Sequence, residues 1–598
     1  MRNPSVFWSI LTVSFLVIPT GTFAFDFTVQ TPGNPALVED VKSASLLQGL
    51  NNADSASSQE IVAAARADYQ RIVSAMYAKG YFAPVVNILV NGQEASSVST
   101  ISPPRSIQSV KITSQPGKRF SFGKATVTPL ANGTELPPEF ASGETAQISA
   151  IRDTANAAIN GWRDKGYAKA KIGQQQISAR HLDSKIDAEL TIDQGPRLTF
   201  GDLIVRGNKT VRTERIVDIA GLPEGQLFSP NELKRASNRL RRTGTFRVAA
   251  LSEAENYNAD QSLDINAQIT ENLPRRFGFG ADISSLEGLG VSSFWLHRNL
   301  FGGAERLRIE GEITGIGGDS GGTDFSVGVS FDRPATFNED TDFYAVGEIE
   351  ILDEVSFQST QASLEVGIRR YASEKREYTF GLGVRTADVS DAFGDRSYTL
   401  LTAPLSATFD YRDNKLNAKD GYYLNLALTP FVAVKGADNG ARSYVDARAY
   451  KSLGSREQFT FALRGQLGAL TGPELNNAPA DYVFYSGGSG TVRGQNYQSL
   501  AVDLSNGQEV GGRSFLGLSG EVRVETSDKL SVVGFYDAGY IGREEFPDGD
   551  SGDWHSGAGL GIRYDTGIGP IRLDVAVPLT GPGEQDGFEV YIGIGQAF

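Results

Sequence analysis

A chain of 598 residues with a formal net charge of −15 has room for several domains and carries the wrong sign for a nucleic-acid binder. It has no cysteine and only three histidines (His181, His297 and His555), far apart, which leaves no disulfide, no cysteine catalysis and no ligand spacing for a metal; no cofactor is expected. A hydrophobic content of 40% with 21% charged residues matches an average soluble protein, but that average conceals two unlike halves.

The N-terminus runs Met1-Arg2-Asn3, is apolar from Val6 to Ile18, and reaches Thr22-Phe23-Ala24. A basic start, a short apolar core and small residues predict a secretory signal peptide over 1–24, cleaved after Ala24. No later stretch offers about 18 consecutive apolar residues, so a mature membrane protein would have to span with strands.

From residue 25 to 273 helical and strand patterns mix. Ile151–Trp162 has apolar residues at helical spacing, and Glu232–Leu240 does the same after a Ser229-Pro230 start. Lys79-Gly80-Tyr81-Phe82, Lys165-Gly166-Tyr167-Ala168 and Thr243-Gly244-Thr245-Phe246 recur about every 80 residues, each closing a helix and opening a strand. Arg119-Phe-Ser-Phe122-Gly123 and Arg197-Leu-Thr-Phe200-Gly201 keep the same period, with a weaker echo at Pro274–Gly278. Two markers on one period predict three tandem modules, 25–114, 115–196 and 197–273. They resemble POTRA domains, small β-α-α-β-β periplasmic units whose edge strands can accept an extended guest.

Over 274–598 helical patterns vanish and strands of about ten residues alternate with polar or Gly/Asp-rich loops. In Pro570–Pro578, Ile571, Leu573, Val575 and Val577 share one face, with Arg572, Asp574 and Ala576 on the other. On a transmembrane barrel the first face meets lipid and the second a wet lumen. At about 20 residues per strand and connection, the region holds about 16 strands. The last stretch, Phe588–Phe598, sets large residues against small ones and ends on an aromatic, resembling the recognition signal of outer-membrane barrels.

Within this half, Gly487-Gly488-Ser489-Gly490-Thr491-Val492-Arg493-Gly494 is glycine-rich enough to fold back and plant a guanidinium on an interior carboxylate. Phe535-Tyr536-Asp537-Ala538-Gly539 lies on a strand with Phe535 and Asp537 on one face. With Gly557–Leu579, these segments resemble the outer-membrane assembly and secretion superfamily that joins POTRA domains to a 16-stranded barrel. The resemblance implies α+β periplasmic POTRA modules followed by an all-β transmembrane barrel. It also implies a lumen loop in which Val492, Arg493, Gly494 and Tyr497 face Glu521, Phe535, Asp537 and Gly539. Here Gln495-Asn496 intervenes before Tyr497, which departs from the family's Arg-Gly-aromatic pattern and leaves the role of Tyr497 open.

The resemblance further implies a lateral seam between the first and last strands, at Phe277, Gly278, Phe279 and Gly280 on one side and Gly593, Gly595 and Phe598 on the other. Glycine weakens strand pairing, so such a seam can part and template a client strand. Three modules resemble the TamA branch, which implies unfolded outer-membrane protein clients such as autotransporters, contact with outer-membrane lipid, and a TamB-like periplasmic partner anchored in the inner membrane. The alternatives are a two-partner-type secretion pore for an unfolded exoprotein, or the outer-membrane end of an intermembrane lipid-transfer complex. An enzyme is the weakest reading. Gly315-Ile-Gly317-Gly318 has no helix after it to make a phosphate loop, no Gly-x-Ser-x-Gly elbow has a plausible histidine, and Glu544-Glu545 reads as a solvated external loop.

Overall fold

The computed structural model describes residues 25–51, 56–284, 288–318, 321–454, 457–527, 529–567, 569–581 and 587–598. The signal peptide expected over 1–24 lies outside them. The chain divides into two compact units. One holds the described residues up to Phe200 with Gly225–Asn231 and Tyr257–Leu263; the other holds the remaining described residues.

In the first unit, strand Asp26–Gln30 runs parallel to Ser109–Gln115, which pairs antiparallel with Val85–Val90. Helix Ser58–Ala78 covers this sheet with Ile61, Val62, Ala65, Ile72 and Met76 fully or nearly buried. Its start is set by a capping box, Ser57 Oγ accepting from the Glu60 amide while the Ser57 amide donates to Glu60. A second sheet follows, in the order Ser121–Thr128, Lys185–Asp193, Lys171–Arg180. It carries one α-helix, Ile148–Arg163, rather than the two of the β-α-α-β-β pattern. The stretch 129–147 has Pro129, Pro137 and Pro138 with Gly133 and Gly143, which cannot sustain a helix. Phe140 fills the space instead, edge-on to Phe122 at 5.2 Å.

A third sheet, ordered Thr199–Arg206, Ser262–Glu271, Phe246–Glu253, goes with helices Thr213–Ala220 and Pro230–Arg242. Pro at the first helical position presets the second of these. Gly80, Gly166 and Gly244 take positive φ just after the three long helices, the conformation that ends a helix. The end of Glu271 accepts from the amides of Lys209, Thr210 and Val211 at 2.7–3.0 Å, tying the loop before Thr213–Ala220 to the sheet.

Helix Pro230–Arg242 is clamped to the barrel. Arg239 donates Nε and Nη2 to the two carboxylate oxygens of Asp340, each at 2.8 Å, and Nη1 to the carbonyls of Ala220 and Gly221 at 3.1 Å. Asp340 sits in the turn between strands Asp324–Asn338 and Thr341–Asp353. Arg242 lies over the Tyr371 ring at 3.7 Å.

The remaining strands close into an antiparallel barrel. Among the described residues the closed order contains seventeen segments. Two of them, Gly394–Thr402 and Leu405–Asp410, lie end to end between the same neighbours, so they make one broken stave of sixteen. Pro404 causes the break, because it has no N–H for the ladder. Its carbonyl still accepts from Gly381 N at 2.8 Å and Ala403 N donates to Pro430 at 2.9 Å, so the wall stays closed. The alternation read from Pro570–Pro578 holds: Ile571, Leu573, Val575 and Val577 are exposed on the outer wall, while Asp574 and Ala576 are buried inside.

Candidate functional site

The long connection between strands Phe459–Thr471 and Ser514–Glu525 folds back into the lumen. Its apolar residues Leu475, Tyr482, Phe484, Leu500, Val502 and Val510 pack among inward residues of the far rim, including Phe357, Tyr398, Leu400 and Phe515. Both ends are tied to the loop after Leu530–Gly542. Gly472 N donates to Glu545 at 2.8 Å and Arg513 Nη2 to Glu544 at 3.1 Å. Glu544-Glu545, expected to be merely solvated, therefore anchors the lumen loop; the sequence could not show this because its partners lie about 30 and 70 positions away.

Close backbone approach sets the loop tip. Gly494 has φ +92°, and a Cβ there would lie 2.7 Å from the Val577 carbonyl carbon. Strand Gly552–Thr566 turns Gly557, Gly559 and Gly561 inward as a flat bed. A Cβ at Gly557 would lie 2.1 Å from the Arg493 carbonyl oxygen. Val492 is fully buried, and Gly494 N donates to the Tyr591 hydroxyl at 3.0 Å.

Arg493, 3% exposed, is the centre of an ion network. Its Nε donates to Asp537 Oδ2 at 2.7 Å and Nη2 to Oδ1 at 3.1 Å, a two-point grip, and its own amide reaches Oδ2 at 3.2 Å. Nη1 donates to Glu521 at 2.8 Å and to Asp574 at 3.3 Å. The guanidinium stacks on Phe535 at 3.6 Å. Arg523 donates to the other Glu521 oxygen at 2.9 Å, and Arg563 pairs with Asp574. Three buried carboxylates thus share three guanidiniums. In a low-dielectric lumen a matched set is stable, whereas removing one member strands its partners.

Of the residues singled out in the sequence, Val492, Arg493, Gly494, Glu521, Phe535 and Asp537 come together, and Gly539 makes room for Ser486 and Val492, a Cβ there lying 2.3 Å from Ser486 Oγ. Tyr497 does not join them: its hydroxyl lies 3.4 Å from Glu354. Gln495 takes the inner position, fully buried, with Nε2 donating to the carbonyls of Ser556 and Thr580 at 2.8 Å. The two residues between Arg-Gly and the aromatic thus put an amide where the family pattern has a ring. Asp574, Arg563 and Arg523 were missed as members of the network. The alternation over Pro570–Pro578 already faced Asp574 into the lumen, a signal that could have found it.

The first and last strands close the barrel. Arg275–Ser284 pairs along its whole length with Gly288–His297; among the described residues its registered pair with Glu589–Ile594 is Ser284 with Tyr591, and Glu589, Val590 and Tyr591 hold further partners. Phe277 and Phe279 stand exposed on the outer wall. The glycines have a role other than facing each other across the seam. Gly278 leaves space for the Phe294 ring, a Cβ there lying 2.2 Å from it, and Gly593 pairs with Arg572 on the neighbouring strand. Phe598 is a correction to the seam expectation. At Gly595, φ +93°, the chain turns inward: Gly595 N donates to Pro570 at 2.7 Å and Gln596 N to Leu416 at 3.2 Å. Phe598 then packs, buried, with Ala418, Tyr450 and Ala462. The physical reason is that an inward turn gives this ring an apolar pocket and its carbonyl the Arg523 guanidinium at 3.2 Å.

Among the described residues no helix is long and apolar enough to cross a membrane, and no group of His, Asp and Glu gathers to hold a metal ion.

Residues 299–598 match the Omp85 superfamily domain, and residues 198–272 match a POTRA domain described as a surface antigen variable number repeat. The outer membrane protein assembly factor BamA of Nitratidesulfovibrio vulgaris is 24% identical over 460 residues, covering 73% of this chain and 56% of the relative. The chain therefore spans little more than half the length of that protein. BamA from Haemophilus ducreyi lacking POTRA domains 1-3 superposes with a TM-score of 0.61 at 16% identity, over 79% of this chain and 100% of the other. CdiB from Acinetobacter baumannii gives 0.50 at 12% identity, over 79% and 89%. At these identities the two structures show a shared fold. With the superfamily domain matching half of its length, this chain belongs to the Omp85 superfamily.

Proposed function

We propose that this protein assembles β-barrel clients into the outer membrane by opening the seam between its first and last strands. As an Omp85 barrel with a POTRA domain, it resides in the outer membrane with its POTRA modules in the periplasm. The observation that carries the reading is that, among the described residues, 275–283 has no registered partner on the last strand, which ends at Ile594 before the turn at Gly595, beside walls paired along their length. Among the described residues the edge over 275–283, without a registered partner on the last strand, offers backbone donors and acceptors to an incoming strand, and such edges are where strand addition occurs. No covalent step enters this mechanism. The lumen loop, packed and ion-paired, supports strand insertion over conduction of an exoprotein through an open pore.

Because the chain has no cysteine, Ile283→Cys with Ile592→Cys adds a single possible disulfide, one step along from the registered pair. In proteoliposomes, the oxidised variant is expected to lose client assembly and to regain it on reduction. Full assembly by verified cross-linked protein would rule out the seam mechanism.

The finer reading is a TamA-type factor, supported by three successive sheet-and-helix modules before the barrel. Gentle extraction with a tag at the mature N-terminus, followed by mass spectrometry, separates the options. A very long inner-membrane-anchored TamB-like protein supports the TamA type, small lipoproteins point to the BamA type, and one large exoprotein points to a secretion pore.

A further inference from the structure

On the outer wall, the strands Phe357–Ser373, Arg376–Asp391, Leu405–Asp410, Gly421–Lys435 and Gly440–Leu453 set their outward side chains in cross-strand rows. One row reads Arg370, Tyr378, Ala407, Leu426, Val445, each paired with the next. The adjacent row begins Ile368, Phe380, Leu405, Leu428. Ala407 is the one small residue between Tyr378 and Leu426, so the wall dips there into an open groove of about 500 Å³. Tyr378, Phe380, Leu405, Leu426 and Leu428 are all exposed around it.

One end of this groove is cationic. Arg370 and Arg376 face outward on neighbouring strands, diagonal neighbours whose Cβ atoms strand geometry places about 7–8 Å apart. Among the described residues neither has a carboxylate within ion-pair distance. Their hydrogen bonds are long, Arg370 to Thr341 Oγ1 at 3.5 Å and Arg376 to Ser373 Oγ at 3.4 Å. The inward neighbour Arg369 is paired twice, with Asp332 and Glu377. The turn between the two arginines holds one acid, Glu374, which accepts from Asn238 on the Pro230–Arg242 helix. That contact puts this end of the groove on the periplasmic rim.

An outward arginine on a lipid-facing wall is costly toward the bilayer midplane and tolerated at the interface, where an anionic headgroup can pair with it. We infer that this wall holds an anionic phospholipid of the periplasmic leaflet, with its phosphate between Arg370 and Arg376 and an acyl chain in the groove over Ala407. The groove supplies the apolar length and the two guanidiniums supply charge complementarity. This site lies on staves remote in the closed order from the Arg275–Ser284 seam, and it stands independently of the assembly mechanism.

The test is native mass spectrometry of the full chain from nanodiscs containing phosphatidylglycerol and phosphatidylethanolamine. The wild type is expected to retain phosphatidylglycerol in preference. Arg370→Gln with Arg376→Gln should lower that retention about tenfold, and Ala407→Phe, which fills the groove without touching either charge, should lower retention of both lipids. A heat-modifiable band on an unboiled gel verifies the barrel in each variant. Equal retention of the two lipids by the wild type, or unchanged retention in both variants, would overturn the inference.

Discussion

Along the wall that the loop tip packs against, every residue of Ser514–Glu525 finds a partner on Leu530–Gly542, and every residue of Leu530–Gly542 finds one on Gly552–Thr566. At the seam, among the described residues, Arg275–Ser284 meets Glu589–Ile594 in register at Ser284 and Tyr591, and the chain turns inward at Gly595. The first wall gives Glu521 and Asp537 to the buried network that Arg493 of the loop completes with Asp574 of Gly569–Thr580; the seam carries exposed Phe277 and Phe279. The contrast teaches how a barrel can be both stable and openable. Cooperative ladders and matched buried charges hold one wall, so the proposed opening is expected at the seam, where among the described residues 275–283 has no registered partner on the last strand.

Removing the charge centre should break that contrast most severely. Arg493→Ala leaves three carboxylates buried around an empty site, with an expected loss of roughly 3–5 kcal/mol, read as a lower melting temperature of the heat-modifiable band. A melting temperature equal to the wild type's would show that the network does not support the wall. Gly557→Val comes next. Its side chain would meet the Arg493 carbonyl, and overpacking of this kind costs about 1–3 kcal/mol, with the loop rather than the strands losing hydrogen-exchange protection.

Replacing Gly595 by Val sharpens the other side of the comparison. A β-branched residue resists φ +93°, so the terminal strand should stay extended, pair further along Arg275–Ser284 and slow client assembly. Hydrogen exchange in Arg275–Ser284 should slow in parallel, and unchanged exchange would show that the inward turn does not limit pairing.

The smallest effect is expected at the Arg239–Asp340 clamp. Burial pushes the Asp340 carboxyl up, but the hydrogen bonds and charge of Arg239 outweigh it, and the group titrates below its ordinary range. A carboxyl depressed in the folded state stabilises above its unfolded pKa, and that contribution is lost as pH falls through the lower folded value. Partial exposure limits it to about 1 kcal/mol. Acidification should therefore loosen Pro230–Arg242, followed by hydrogen exchange, whereas Asp340→Asn should be loose already and insensitive to pH in this range.

Much of this was legible where physics acts locally. The alternation of Pro570–Pro578 announced its inner and outer faces, since side-chain direction in a strand has period two. The glycines after the helices announced their ends, because few other residues take positive φ there. The missing helix of the second sheet was also written in Pro129, Pro137 and Pro138, although the repeat pattern masked it.

The network was half legible. Arg493 with Asp537 and Glu521 came from a motif, but Asp574 and Arg563 came into it through pairing of Gly552–Thr566 with Gly569–Thr580, which sets Gly561 against Asp574. Gln495 replaced Tyr497 at the inner position because the loop's path, not its motif, decides which side chain meets Ser556 and Thr580.

By itself, then, the sequence determined the two-part plan, the barrel's inside and outside, and the residues able to enter the lumen. These follow from periodicity, backbone freedom and charge, all carried within a few neighbouring residues. Only the tertiary structure decided that Ser284 registers with Tyr591, that Phe598 turns inward, and that Arg370 lines the groove over Ala407. Register and closure bring together residues far apart in the chain, and no local pattern encodes which of them meet.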